Sequence, residues 1–424
     1  MTELALTPHD EDLLSGHRGD AARIGMRIIV EMARVAGARR LIDVRSAHID
    51  GCLFHGRAGL DFAERLASAG GRIVIPATLN VGSLDLLHPA LFRGDEETAR
   101  LARRLMDAYV AMGCEPTWTC APYQLPERPG PGEHVAWAES SAIVFANSDL
   151  GARTDRYGDF IDICAAITGR VPDAGLHRTE NRRGRVLFDL EDIPKRLLHE
   201  DVLYPVLGHL AGLEAGKEVP VFDGLPESTT DDQLKALGAA AASSGSVALF
   251  HAVGLTPEAP SLADAFHGGK PIRTVRVFPE MLVQPRDSLS TSPGRELAAV
   301  SLGTPHFSVT EFGKLVPLLE EIGGVHPGVD LYVSTSRHVL SEIEGRGWLP
   351  VCEGAGLQIV TDTCTYVTPI LRHKHGPVMT NSAKWAYYAP ANIGVEAVFG
   401  SLTECVRSAH VGEVWRDEGL WTGD

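Results

Sequence analysis

Several things are missing from this 424-residue chain. No apolar run reaches the roughly 18 residues that a membrane-spanning helix needs. The first residues, MTELALTPHDEDLL, are acidic and lack the charged and apolar regions of a signal peptide. Both absences lead us to expect a cytoplasmic protein. An excess of positive charge is missing too: 39 Lys and Arg stand against 55 Asp and Glu, a net −16. Such a surface repels phosphate backbones, which argues against a nucleic-acid partner but leaves room for a local basic pocket. The seven cysteines show no CxxC and no regular spacing, so they form neither a disulfide framework nor a zinc knuckle. A Walker A loop, a GxGxxG fingerprint after the first strand, a GxSxG elbow and an HExxH motif are all absent.

What is present is an ordinary globular composition, 44 % hydrophobic and 22 % charged, with 44 glycines that suit tight turns and backbone-lined pockets. There are no internal repeats. Residues 20–37 carry apolar residues at helical spacing, RRLIDVRSAHID reads as a strand, 59–70 as a helix, GGRIVIPATLN as a strand, and 95–112 as a helix. From about 186 a second alternation begins with VLFDLEDIP, and from 286 a third with RELAAVSLGTPHFS and LQIVTDTC. The pattern predicts an α/β protein of several lobes. We expect one lobe from residues 1–185 with 366–424, and two further α/β lobes at 186–285 and 286–365.

The chemistry-bearing residues cluster on loops. Residues 115–134 form a long Pro- and Gly-rich stretch, and such loops are usually functional. Cys120, Glu139, Ser140, Ser141, Asn147, Arg153 and Thr154 lie in or just after it. By composition, SSAIVFANS reads equally well as a capped structural helix and as an element that lends polar groups to a pocket. Asn80 and Ser83 follow a strand, where side-chain and backbone donors can hold a carboxylate. His306 ends an apolar strand and Cys364 follows another. A lone His there is more often a loop-stabilising hydrogen-bonder, and a lone Cys can be nucleophile, ligand or core. His373 and His375 flank Lys374 on a turn and are a weak metal-site candidate. RTENRRGR reads first as an exposed basic loop, although Arg170, Arg178, Arg182 and Arg183 could together hold a phosphate.

Taken in order, AHIDG, PATLNVGS, MGCEPTWTCAPY, GEHVAWAESSAIVFANSDLGARTDR, AAITGRVPDAG, SLGTPHFS, TDTC and TNSAKWAYYAP run from about residue 7 to 409. This series is similar to the large, catalytic subunit of the aconitase X family. The resemblance implies an aconitase-like α/β large subunit that lacks the β-rich swivelling domain, with a separate small subunit completing the active site. It implies a hydro-lyase that dehydrates a small hydroxy acid: cis-3-hydroxy-L-proline in bacterial members, mevalonate 5-phosphate in archaeal ones. It also implies an iron–sulfur cluster, with Cys120 and Cys364 as ligands and Cys405 as the third choice. A 2Fe–2S cluster is expected over the 3Fe–4S and 4Fe–4S types. Archaeal relatives often carry cysteine where this chain has Thr304, which leaves the cluster type open and leans the substrate towards hydroxyproline. Proton handling is expected from Glu139, Ser140, His306 or Lys384. Substrate contacts are expected from His55, Asn80, Ser83, Ser141, Asn147, Arg153, Thr154, Arg170 and Ser382. A reading of another class is a non-catalytic iron–sulfur binding protein on the same scaffold.

Overall fold

The computed structural model describes residues 4–372 and 376–421. The chain divides into two compact units, Met1–Leu84 with Asp95–Arg183, and Asp85–Gly94 with Gly184–Asp424. Among the described residues no helix is long and apolar enough to cross a membrane.

The first unit is built on three short parallel strands, in the order Ala77–Leu79, Ala47–Ile49, Ala136–Trp137. The predicted helix at 20–37 is Asp20–Val35, whose apolar stripe buries Met26, Ile29 and Val30. RRLIDVRSAHID is two strands rather than one: Leu41–Asp43 pairs antiparallel with Arg170–Pro172, and Ala47–Ile49 enters the parallel sheet. The polar Arg45-Ser46 step between them breaks the run.

The second unit holds two all-parallel sheets. One has the order His251–Ala252, Pro220–Asp223, Val186–Asp189, Arg273–Arg276. The other has Leu357–Val360, Asp330–Thr335, Ala299–Phe307, Val378–Thr380, Ala397–Phe399. All nine residues of Ala299–Phe307 are buried, as expected for the middle strand of a parallel sheet covered on both faces. Helices close the layer with Phe312, Leu315, Leu319, Ile343 and Val406, each fully buried side chain contributing about 1.5–3 kcal/mol. Helix Val309–Ile322 starts at a capping box in which Ser308 and Glu311 exchange hydrogen bonds.

The lobe boundary at 366 needs correction. Residues 378–399 do not return to the first lobe; they add two strands to the sheet of Ala299–Phe307. Each of those strands has only three residues, too short for an alternation or an apolar run to register in the sequence.

Candidate active site

In the first unit the polar groups gather at the carboxyl ends of the parallel strands, where ligands of α/β sheets bind. Asp50 follows one strand, Asn80 and Ser83 the next, and Glu139 the third. The Asn80 amide donates to Asp50, and Ser83 accepts a hydrogen bond from the Phe54 amide at 2.8 Å. Asp162 accepts from the amides of Asp50 and Gly51 at 2.7 and 3.2 Å. Burial, reinforced by the negative charges of Glu139, Asp159 and Asp162, pushes Asp50 up to about 8. It is therefore a neutral acid at pH 7. Burial likewise pushes Asp162 up to about 6 and His48 down to about 4. Asp50 and Asp162 carry no distinctive motif, and only the strand-end position of the aspartate in AHIDG signals them.

The helix Ser140–Ser148 is capped by Glu139, whose carboxylate takes the Ala142 amide at 2.7 Å and the Ser141 hydroxyl at 2.6 Å. Ser140 is half-buried beside it, its hydroxyl 3.3 Å from Glu139. Asn147 and Thr154 hold the scaffold. Asn147 exchanges two 3.0 Å hydrogen bonds with the Thr154 backbone, and the Thr154 hydroxyl pairs with the Trp137 backbone. Arg153 reaches the His177 carbonyl and the Thr179 hydroxyl. Arg170 is buried against Asp10, 2.8 Å away, and Asp43. His55 is exposed.

The basic loop is not an exposed one throughout. Arg182 is fully buried and donates to Asn147, Leu176 and Ala152, while Arg178 pairs with Glu180. Arg170 and Arg182 are thus engaged in holding the scaffold, and Arg178 in an exposed local pair, rather than in a phosphate cluster. A side chain's partners depend on tertiary neighbours, which residue counts in RTENRRGR do not disclose.

In the second unit the five-stranded sheet begins at its middle strand, grows two strands one way, then two the other. The crevice at such a reversal is where open α/β sheets bind ligands. Here it lies between Ala299–Phe307 and Val378–Thr380, and both strand ends carry polar groups. Gly303, Thr304 and Pro305 on one side, with Ser382 and Lys384 on the other, line a cavity of about 510 Å³. Ser382 caps the helix Ala383–Ile393, accepting from the Trp385 amide at 3.0 Å and donating to the Thr304 carbonyl. Lys384 sits in its first turn, 3 % exposed. Lys235, missed in the sequence, is buried in the same wall between Asp232 and Glu311, at 2.8 and 2.5 Å. Its charge lies in an ordinary helical pattern, and only the fold buries it. Burial pushes Glu311 up to about 7 despite that lysine.

His306 is fully buried, and its Nε2 lies 3.2 Å from the Thr363 carbonyl oxygen. A hydrogen bond from Nε2–H to that carbonyl puts the ring's lone pair on Nδ1, the usual way an outer contact orients a histidine ligand. The Cys364 sulfur and a His306 ring nitrogen lie within 4.8 Å of each other. Two residues before His306 on the same strand, the Thr304 hydroxyl is buried with no hydrogen-bond partner among the described residues. Thiolate and imidazole are a donor set that fits an iron centre. Cys405 lies in the apolar core with Cys352, Val398 and Val406, where burial pushes its thiol well up. Cys120 is buried in the first unit. His373 and His375 lie outside the described residues.

Three sequence models match almost the whole chain: the aconitase X first domain over residues 3–180, the second over 184–286 and the third over 297–411. The chain belongs to the aconitase X family. The third-domain match contains the two strands that correct the lobe boundary. Among its relatives is the cis-3-hydroxy-L-proline dehydratase of Pseudomonas aeruginosa, 45 % identical over 413 residues, which cover 95 % of this chain and 70 % of the relative. The phosphomevalonate dehydratase large subunit of Methanothermobacter thermautotrophicus is 36 % identical over 94 % of this chain and 97 % of its own length. The crystal structure of Thermococcus kodakaraensis aconitase X in its holo-form superposes with a TM-score of 0.86 at 32 % identity, covering 96 % of this chain and all of that one.

Proposed function

We propose that this chain is the large, catalytic subunit of an iron–sulfur hydro-lyase that dehydrates cis-3-hydroxy-L-proline to 1-pyrroline-2-carboxylate. The observation that carries this reading is the meeting of Ser382, Lys384 and Thr304 around one cavity at the sheet reversal, on the strand that also bears His306. The 45 % identity to a cis-3-hydroxy-L-proline dehydratase supports the substrate. The cavity's charge supports it as well. Arg196, Lys235, Lys314 and Lys384 are offset by Glu200, Asp201, Asp232, Glu311 and Asp417. That balance suits a zwitterionic amino acid, whereas a phosphate monoester calls for surplus cations.

Cys364 and Cys120 are the proposed cluster ligands, with His306 beside Cys364. When bound, the cluster supplies a Lewis acid that polarises the departing oxygen. The cluster type we propose is 2Fe–2S. Lys384 and the amides of the helix start at Ala383, which Ser382 caps, hold the substrate carboxylate, so that negative charge developing next to it is stabilised. Removing the proton on the carbon beside the carboxylate needs a base. Ser140 with Glu139 is one candidate in this chain, and a serine of the partner is another. Dehydration yields an enamine, which tautomerises to the pyrroline. Asn80 and Ser83 serve the site by holding Asp50 and the Phe54 loop. The partner is a small subunit carrying the swivelling domain, in keeping with the large-subunit name of the Methanothermobacter relative.

The test is an anaerobic assay of this chain co-expressed with a small subunit. Formation of 1-pyrroline-2-carboxylate from cis-3-hydroxy-L-proline is the expected result. Turnover of mevalonate 5-phosphate alone would reassign the substrate, and a bound cluster without turnover of either would leave a non-catalytic binding protein.

A further inference from the structure

Residues Asp85–Gly94 leave the chain of the first unit and fold with the second. The segment is fixed at both ends to one loop. At its start, Asp85 is 3 % exposed and gathers five hydrogen bonds. Two come from Thr361, its amide at 2.8 Å and its hydroxyl at 2.9 Å. Three come from within the segment, from the amides of Leu87 and His88 and the His88 ring. The next residue, Leu86, donates its amide to Asp362 at 3.1 Å, and Arg337 grips the same carboxylate through two hydrogen bonds at 2.6 and 2.7 Å. At the far end, Arg93 donates its amide to Pro369 at 2.8 Å and its side chain to the Ile370 carbonyl at 3.0 Å.

Between these anchors lies Cys364. The loop is not in a relaxed conformation, because Asp362 has a φ of +62°. A non-glycine residue there costs about 1–2 kcal/mol and persists only where its surroundings impose it. Those surroundings are Leu86 and Arg337 on its carboxylate, with Asp85 on the preceding residue. The loop's inner side is fixed separately, by Thr363 on Thr368 and by Thr365 on Ser301 and Trp385.

We propose that Asp85–Arg93 is a clamp that sets the loop Thr361–Cys364 in its ligating conformation, with Asp85 and Asp362 as its positioning residues. The clamp rests on the reading of Cys364 as a cluster ligand, and its test separates the two.

The first readout needs no cluster. In the full chain stripped of metal, the alkylation rate of Cys364 is followed by peptide mass spectrometry in the wild type and in Asp85→Ala. The core thiols Cys352 and Cys405 of the same unit report on global unfolding. The expected result is labelling of Cys364 faster by about tenfold or more while both core thiols stay protected, as for a local opening. The second readout is iron per chain after anaerobic reconstitution, which should fall in Asp85→Ala and recover in part in Asp85→Asn, which keeps one acceptor oxygen. Should the core thiols of Asp85→Ala also react, Thr361→Val replaces it, since it removes a single hydrogen bond. Cys364 labelling at the wild-type rate overturns the clamp. Faster labelling with undiminished iron supports the clamp and overturns the ligand reading instead, as would full iron in Cys364→Ser.

Discussion

The Nε2 of His306 lies 3.2 Å from the carbonyl oxygen of Thr363, so the end of the central strand is joined to the residue just before Cys364. One hydrogen bond thereby fixes a ring and a thiol as neighbours, although 57 residues separate the bonded pair. The Thr363 backbone carbonyl thus orients the histidine ring next to the cysteine loop.

Cys364→Ser should leave the fold intact and abolish both iron binding and turnover. His306→Gln should lower iron retention by about 10–100-fold, the range for a residue that orients or supplements a metal site. Iron analysis and the visible spectrum of each variant check both. A Cys364→Ser protein with a full complement of iron removes this residue from the ligand set.

Lys384→Ala should raise KM about 10–100-fold with a smaller fall in kcat, since a charge-assisted hydrogen bond to a carboxylate is worth about 1.5–3 kcal/mol. Lys384→Arg should restore part of the loss. Steady-state kinetics on cis-3-hydroxy-L-proline decide it, and an unchanged KM would place the substrate carboxylate elsewhere.

Asp50 gives a pH dependence whose sign is fixed. Burial pushes its carboxyl up to about 8 in the folded chain, from an ordinary 3.8. Its stabilising contribution is fully present below pH 3.8 and is lost as pH rises through 8. Asp50→Asn removes this loss, so the variant should gain stability relative to the wild type between pH 5 and 8.5. Urea midpoints across that range test it; parallel curves would mean that Asp50 titrates normally.

The buried histidines act in the opposite direction. Burial, with smaller effects of His134, Arg182 and Arg153, lowers His177 to about 3 from 6.5. Burial also lowers His209 to about 4. Their stability is present above pH 6.5 and lost as pH falls towards 3. His177 sits between the His134 ring, 2.9 Å away, and the Tyr157 hydroxyl at 2.5 Å. His177→Gln should flatten the acid side of the stability curve, as read from unfolding midpoints at pH 7, 5.5 and 4.5.

Gly303→Ala should cost about 3 kcal/mol or more, or prevent folding. Its φ is +86°, and an added Cβ would meet the Ser334 carbonyl oxygen at 2.1 Å in the neighbouring strand. A variant with wild-type stability and activity would show that the strand end can shift.

The sequence by itself determined the family, the α/β class and the loops that carry chemistry, because strand and helix periodicities and contiguous motifs are local properties. It marked His306, Cys364, Asn80, Ser83, Ser382 and Lys384, each of which lies near the end or the start of a regular element. Tertiary structure alone decided what each polar group is for. Asn147, Thr154 and Arg170, expected in the pocket, and Arg182, read first as part of an exposed basic loop, make buried scaffold contacts, since a partner 30 or 160 residues away leaves no trace in local pattern. The same reason hid Asp50, Lys235 and the clamp at Asp85. Burial and neighbouring charge set their protonation, and both arise only when distant segments are packed together.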